Sequence, residues 1–216
     1  LKEKIAVFGA GDLGREIVVL IRQISMVYDN WSIEGFYDDN IKNGSEINGV
    51  TVLGGIEELN QRIEPLNLVL AVADSELKKK LVNKISNALV KYPVLIHPSV
   101  NHDDFQNLKF GEGSIICAGN VFTTDIQIGS HVLLNLHCTV GHDCIIGDFS
   151  NIMPGVNISG KVTLEEGVYI GTGAKIINYV TIGKYTTIGA GATVVNNIES
   201  DSVAFGTPAR IIRRKK

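Results

Sequence analysis

The chain has 216 residues, 20 Lys and Arg against 23 Asp and Glu, a formal net charge of −3, and a hydrophobic fraction of 44%. That balance provides no basic field for nucleic acid or an anionic membrane, and the apolar content suffices for a packed core, so the composition is that of a globular enzyme. No stretch reaches the ~20 apolar residues of a membrane span, the start lacks a signal peptide's apolar region, and a first residue of Leu reads as a trimmed copy.

Residues 4–8 (KIAVF) form a short apolar strand followed by Gly9-Ala10-Gly11-Asp12-Leu13-Gly14. Residues 15–25 then place Ile17, Leu20, Ile21 and Ile24 on one helix face. Residues 33–37 read as a second strand ending in Asp38-Asp39, residues 57–60 as a short helix, and residues 68–73 as a buried strand. An amphipathic helix over 75–88 has Ser75 as its expected cap, a last strand covers 94–96, and His97-Pro98 marks the exit. Strands alternating with helices imply a small parallel sheet, placing one domain at 1–97 and a second at 98–216.

Gly9, Gly11 and Gly14 fit G-x-G-x-x-G between a strand and a helix. Residues without Cβ let the backbone approach a diphosphate, whose charge then faces the helix N-terminus. Asp38, at the end of the next strand, is where a carboxylate grips a ribose or base. Taken alone the pattern implies a dinucleotide such as NAD. A domain of about four strands has no second nucleotide-binding half, however, so a mononucleotide diphosphate fits better. A tight structural turn with no ligand is the alternative.

From Phe110 to Val194 an aliphatic residue or Phe occupies every sixth position: Phe110, Ile116, Phe122, Ile128, Leu134, Val140, Ile146, Ile152, Ile158, Leu164, Ile170, Ile176, Ile182, Ile188 and Val194. Two positions before these marks come small or β-branched residues such as Cys138, Cys144, Ser150, Val156 and Val162. A period of six fits neither a helix nor simple alternation. It fits short strands that turn a corner and repeat, three hexads to a coil, which is a parallel β-helix. Fifteen hexads give five coils, a prism roughly 24 Å tall at the ~4.8 Å strand spacing.

Cys117, Cys138 and Cys144 all lie in the repeat, in odd number and without zinc-site spacing, and read as buried structural thiols in a reducing cytoplasm. Among the histidines, His97 reads as a linker residue and His102 lies in a polar stretch; His131 and His137 are expected to point outward. His142 is followed at once by Asp143, a carboxylate able to orient an imidazole and raise its basicity, as a general base requires. Arg213, Arg214, Lys215 and Lys216 close the chain as a basic run that is either a solvated tail or a phosphate contact.

The ladder and the closing Gly206-Thr207-Pro208-Ala209-Arg210 resemble the left-handed β-helix acyltransferases, whose last segment reads G-x-P-A-[KR]. The glycine loop and Asp-Asp strand narrow the resemblance to the sugar O- and N-acetyltransferases that include the UDP-4-amino-sugar (bacillosamine-type) N-acetyltransferases and the sialic acid O-acetyltransferase relatives. The resemblance spans essentially the whole chain and is close over Asn135 to Phe149. It implies a small Rossmann-like domain followed by a left-handed β-helix, with acetyl-CoA as cosubstrate, no metal, and a nucleotide-sugar acceptor. It further implies a cytoplasmic homotrimer with active sites between subunits, serving surface glycan biosynthesis. Position by position, it makes His142 the general base, supported by Asp143, with Asn135 near the reacting groups and the Gly160 N–H facing the oxyanion. Gly9, Gly11, Asp12, Leu13 and Gly14 wrap the phosphates, Asp38 and Asp39 contact the uridine, and Ala73 lies beside it. Acetyl-CoA runs against Asn151, Thr172 and Ala190. Some relatives carry His in place of Leu13 and of Asn151, which leaves the identity of the sugar open.

Three rival readings follow. An O-acetyltransferase of the sialic acid type needs the same base. A nicotinamide-dependent oxidoreductase would use the glycine loop but leaves the β-helix without a role. A non-catalytic β-helix protein leaves His142-Asp143 without one.

Overall fold

A computed structural model describes residues 2–214. The chain divides into two compact units, Leu1–Pro93 and Val94–Lys216. The division falls four residues before the 97/98 position read from sequence, because Leu95–Ile96 pairs with Ile115–Ile116 and so belongs to the second unit.

In the first unit, β1 (Glu3–Phe8) is central to a four-stranded parallel sheet, with β2 (Trp31–Tyr37) on one side and β5 (Leu66–Leu70) then β6 (Val90–Lys91) on the other. Ile5, Ala6 and Val7 have no exposed surface, as a central strand covered on both faces requires. The helix α1 (Asp12–Tyr28) buries Ile17, Val18, Leu20, Ile21 and Ile24, the apolar stripe that its spacing dictates. Between β2 and β5 lie a hairpin, β3 (Glu46–Ile47) and β4 (Val50–Thr51), and the short helix α2 (Ile56–Asn60). The hairpin turns at Asn48-Gly49, with φ of 50° and 72°, the turn pair that two such strands favour.

The strand expected over 68–73 instead spans Leu66–Leu70, leaving Ala71 to Ala73 as loop. The helix α3 (Ser75–Lys84) is shorter than its pattern and is capped by Asp74, whose carboxylate accepts from Leu77 N–H at 2.8 Å, rather than by Ser75. It stops where Asn60 Oδ1 accepts the Ser86 N–H and Asn87 Oδ1 accepts the Leu89 N–H, side-chain bonds that compete with the helical ladder.

The second unit is a left-handed parallel β-helix. Two of its three faces hold five parallel rungs each; on the third, seven parallel rungs and one antiparallel end strand stack from Leu95–Ile96 to Ala209–Arg214. The five coils counted from the ladder are therefore extended at both ends on this face, by strands outside the hexad series. Register runs at eighteen residues, as in Thr139↔Asn157 and Val140↔Ile158. Every ladder residue from Ile116 to Val194 is buried, and so are the small residues two positions earlier, including Cys138 and Cys144 at 0% exposure. Each stacked Ile or Leu contributes roughly 1.5–3 kcal/mol of burial. The chain closes with a hairpin of Ser202–Gly206 and Ala209–Arg214 around Thr207-Pro208. Of the terminal basic run, Lys215 and Lys216 lie outside the described residues.

At the corners, non-glycine residues adopt left-handed φ where the flat turn demands it, among them His131, His137, Asp143, Phe149, Lys161 and Tyr179. His131 is the exception to its outward expectation: it is 3% exposed and stacks on Phe149 with centroids 5.4 Å apart. Its ring lies against Gly113 of the preceding coil, where any Cβ would collide with the imidazole.

Candidate active site

Two sets of residues carry chemistry, one in each unit. In the first, the strand order places the loops after β1, β2 and β5 together at the carboxyl edge of the sheet, where the chain switches direction and α/β sheets bind ligands. The glycines divide by role. A Cβ on Gly9, whose φ is 99°, would lie 2.9 Å from Ala71 O, and one on Gly14 would strike the Gly9 carbonyl. Both are fixed by packing of loop, helix and strand. A Cβ on Gly11 would meet nothing within 4 Å, so this glycine faces open space, as one that admits a ligand must. Leu13 is half-buried, and the exposed Asp12 carboxylate is paired with Arg15.

Asp38 and Asp39 are part of the scaffold. Asp38 Oδ2 accepts from Ala10 N–H and Oδ1 from Asn40 N–H, both at 2.9 Å. One carboxylate thus ties the glycine loop to the end of β2. Asp39 Oδ1 accepts from Ile56 N–H at 2.8 Å, fastening the start of α2. Beside the pair opens a cavity of about 350 Å³ that Glu57 and Glu58 also line. Those two acids have no signal in the sequence beyond their helix. Ala73 is exposed at the same edge of the sheet. Further along α3, Lys78 is 2% exposed, and burial pushes its ammonium down to about 7.

In the second unit, His142 and Asp143 sit at the corner after the strand Thr139–Val140. His142 Nδ1 lies 2.8 Å from Asp143 Oδ2. Against a carboxylate Nδ1 carries the hydrogen, leaving the Nε2 lone pair free to take a proton. The two side chains are 55% and 50% exposed, open to a reactant. Gly160, one coil on, makes room for the ring: a Cβ there would lie 2.5 Å from His142 Nε2. Among the described residues the Gly160 N–H donates to no acceptor, while its carbonyl accepts from Tyr179 N–H at 3.3 Å. A free amide beside an imidazole nitrogen is a pair of groups that acyl transfer can use.

Asn135 lies at the end of the strand before the one that leads to His142. It ends the strand Leu133–Leu134, a full strand of the coil before His142, and is buried with Oδ1 accepting from Leu136 N–H at 2.7 Å. Asn135 and His142 thus follow two successive strands of one coil, Leu133–Leu134 and Thr139–Val140. Asn151 is the residue expected to lie against acetyl-CoA. It is fully buried, and its Nδ2 donates to Phe149 O at 3.0 Å.

Thr172 and Ala190 are exposed on one corner, a coil apart, and Gly191 N–H donates to Thr172 O at 2.8 Å. Beside them Gly155, Gly173 and Gly191 repeat at eighteen residues with φ of 70°, 68° and 65°, and a Cβ on any of the three would touch nothing. The result is a stripe of bare backbone spanning three coils, which suits a long thin amide chain such as pantetheine. An eighteen-residue count along the sequence would have found it. The thiols of Cys138 and Cys144 are inside the prism, and burial pushes Cys138 up to about 11, so neither serves as a nucleophile.

Residues 4–85 match the PglD N-terminal domain family, and residues 161–196 match the bacterial transferase hexapeptide family of six repeats. The chain is 29% identical over 170 residues to a GDP-perosamine N-acetyltransferase of Escherichia coli O157:H7, covering 79% of this chain and 76% of that protein. Among solved structures it resembles the acetyltransferase domain of PglB from Neisseria gonorrhoeae FA1090 in complex with acetyl coenzyme A, at 32% identity and a TM-score of 0.85, over 98% of this chain and all of that one. It also resembles PerB from Caulobacter crescentus in complex with CoA and GDP-perosamine, at 28% identity and a TM-score of 0.88, over 97% of each chain.

Proposed function

Because the chain belongs to the hexapeptide-repeat sugar acetyltransferases with a PglD-type N-terminal domain, we propose that it transfers the acetyl group of acetyl-CoA to the amino group of a nucleotide-activated 4-amino sugar, with His142 as the base. The observation that carries this reading is the His142–Asp143 pair set against Gly160.

His142 Nε2 takes the proton from the acceptor nitrogen as that nitrogen bonds to the acetyl carbon. Asp143 holds the Nδ1–H and offsets the positive charge the imidazole gains. The Gly160 N–H faces the carbonyl oxygen as it becomes negative. His142 then returns the proton to the departing sulfur, so no covalent enzyme intermediate is needed. Acetyl-CoA lies along the bare stripe beside Thr172 and Ala190, while Asn151 supports that path from beneath, through Phe149. The first unit holds the acceptor's nucleotide. Gly9, Gly11 and Gly14, with the α1 amides of Asp12 and Leu13, take the diphosphate. Asp38, Asp39 and Ala73 border the base and ribose.

A UDP-linked sugar is the first reading. A GDP-linked one is the second, favoured by the likeness to proteins named for GDP-perosamine. A single β-helix corner is convex, whereas ligands bind in concave sites; a homotrimer would enclose the corner between neighbouring coils and give Asn135 a route to a second copy's base. We place the enzyme in the cytoplasm, in keeping with its three buried cysteines, which form no disulfide among the described residues. Among the described residues no helix is long and apolar enough to cross a membrane.

The test is CoA thiol release with UDP-, GDP- and dTDP-linked 4-amino sugars, run beside His142→Ala. Turnover on one amino sugar that falls by about 10²-fold or more in the variant is expected. Turnover confined to hydroxyl acceptors would transfer the assignment to O-acetylation.

A further inference from the structure

The corner that carries His142 repeats once per coil, and its left-handed position is filled successively by Asn107, Asp125, Asp143, Lys161 and Tyr179, with φ of 51°, 56°, 58°, 58° and 65°. Lys161 is the only cation in this column. It stands on the coil next to the His142–Asp143 pair, with its N–H donating to His142 O at 2.7 Å. Neighbouring coils are only ~4.8 Å apart, so an extended lysine side chain is long enough to reach the Asp143 carboxylate. It does not do so: among the described residues no ion pair joins them. Lys161 Nζ instead lies 5.7 Å from the centroid of the Tyr179 ring, within cation–π range, on the coil opposite Asp143.

We infer that Tyr179 is a positioning residue for the base: its ring parks the Lys161 ammonium away from Asp143, so that the Asp143 carboxylate stays on His142 Nδ1. The inference rests on the reading of His142 as base. With Tyr179 gone, Lys161 gains Asp143 as its best partner. The imidazole then loses the hydrogen-bond acceptor that orients it, and a positive charge stands close to a group that must itself become positive. Both effects make His142 a weaker base. The other charged and titratable groups at this corner do not rescue it. Asp125, one coil before, accepts from Asn107 Nδ2 at 2.7 Å and Thr124 Oγ1 at 3.0 Å, bonds that hold its carboxyl below the usual range. Cys144, beside Asp143, is a buried thiol pushed up by burial. Tyr179 itself is 68% exposed, so the parking biases Lys161 and does not lock it.

The experiment compares Tyr179→Ala, Tyr179→Phe, and Tyr179→Ala combined with Lys161→Met, measuring kcat against pH by thiol release. Tyr179→Ala is expected to lower kcat by about threefold or more, the scale of one exposed cation–π contact, and to move the acidic limb of the profile to lower pH. Tyr179→Phe should behave as wild type, and the double variant should recover both rate and limb. A rate loss in Tyr179→Ala with an unmoved limb, and no recovery on adding Lys161→Met, overturns the inference and makes Tyr179 a structural or substrate contact. Retention of full activity by His142→Ala would instead overturn the base assignment, so the two failures are told apart.

Discussion

The two units solve the same problem, holding reactive groups still, in opposite ways. In the β-helix, stability resides in the internal ladder, where Val140 and Ile158 among others do the packing, and the corners are left to chemistry: His142 and Asp143 are half exposed and bond to each other. In the α/β unit the groups assigned to the nucleotide also hold the fold. Asp38 bonds the Ala10 N–H, Asp39 bonds the Ile56 N–H, and Gly9 and Gly14 are fixed by contacts with Ala71 and with each other. A repeat separates packing from function because every coil supplies its own core. A single small sheet cannot, because the loops at its carboxyl edge both end its strands and carry the residues assigned to the nucleotide.

If that separation holds, the largest loss of stability should come from removing a ladder residue. Ile152→Ala, between Leu134 and Ile170, should lose about 2–5 kcal/mol of stability in urea unfolding. His142→Ala should leave the urea midpoint within experimental error while removing activity. A corner substitution that destabilised as much as the ladder one would end the separation.

Next in size is Lys78, buried in the α/β unit. Its folded pKa of about 7 lies below the unfolded value of 10.5, so the unfolded state binds the extra proton between the two. Stability of this unit should therefore rise with pH from about 7 to about 10 and be flat below, by up to a few kcal/mol. Lys78→Met should remove that slope, which thermal unfolding as a function of pH would reveal; an unchanged slope would assign it to another group.

Asp38→Asn tests the double role directly. It weakens a bond that pins the glycine loop, so both folding stability and nucleotide-sugar binding, read from the melting temperature and KM, should weaken by about 1–2 kcal/mol each. A change in KM alone would make Asp38 a pure ligand contact. The smallest effect is expected of Gly11→Ala. Nothing lies within 4 Å of the added Cβ, so the melting temperature should hold while KM rises severalfold.

Much of the β-helix was legible because its period is set by covalent geometry: two residues of strand and one corner recur in every hexad, and an apolar mark at each sixth place has one compact solution. Leu95–Ile96 and the closing hairpin escaped that count because they join the third face without the hexad spacing. The hidden His131 escaped because its burial depends on Gly113 in the coil before, eighteen residues away. In the α/β unit the strand, glycine loop and helix were legible from local pattern, whereas the Asp74 cap and the Asn48-Gly49 hairpin hinged on which of several polar residues bonded to the backbone.

Spacing along the chain was enough to specify the two architectures, the eighteen-residue coil, and the candidate base at His142 with its neighbour Asp143. Folding in three dimensions was needed to make Gly160 the residue facing His142 Nε2, to align Gly155, Gly173 and Gly191 as bare backbone, and to bond Asp38 to the glycine loop. It also set Lys161 against Tyr179. Stacking coils puts residues eighteen apart into contact, so proximity in space follows the coil and not the chain.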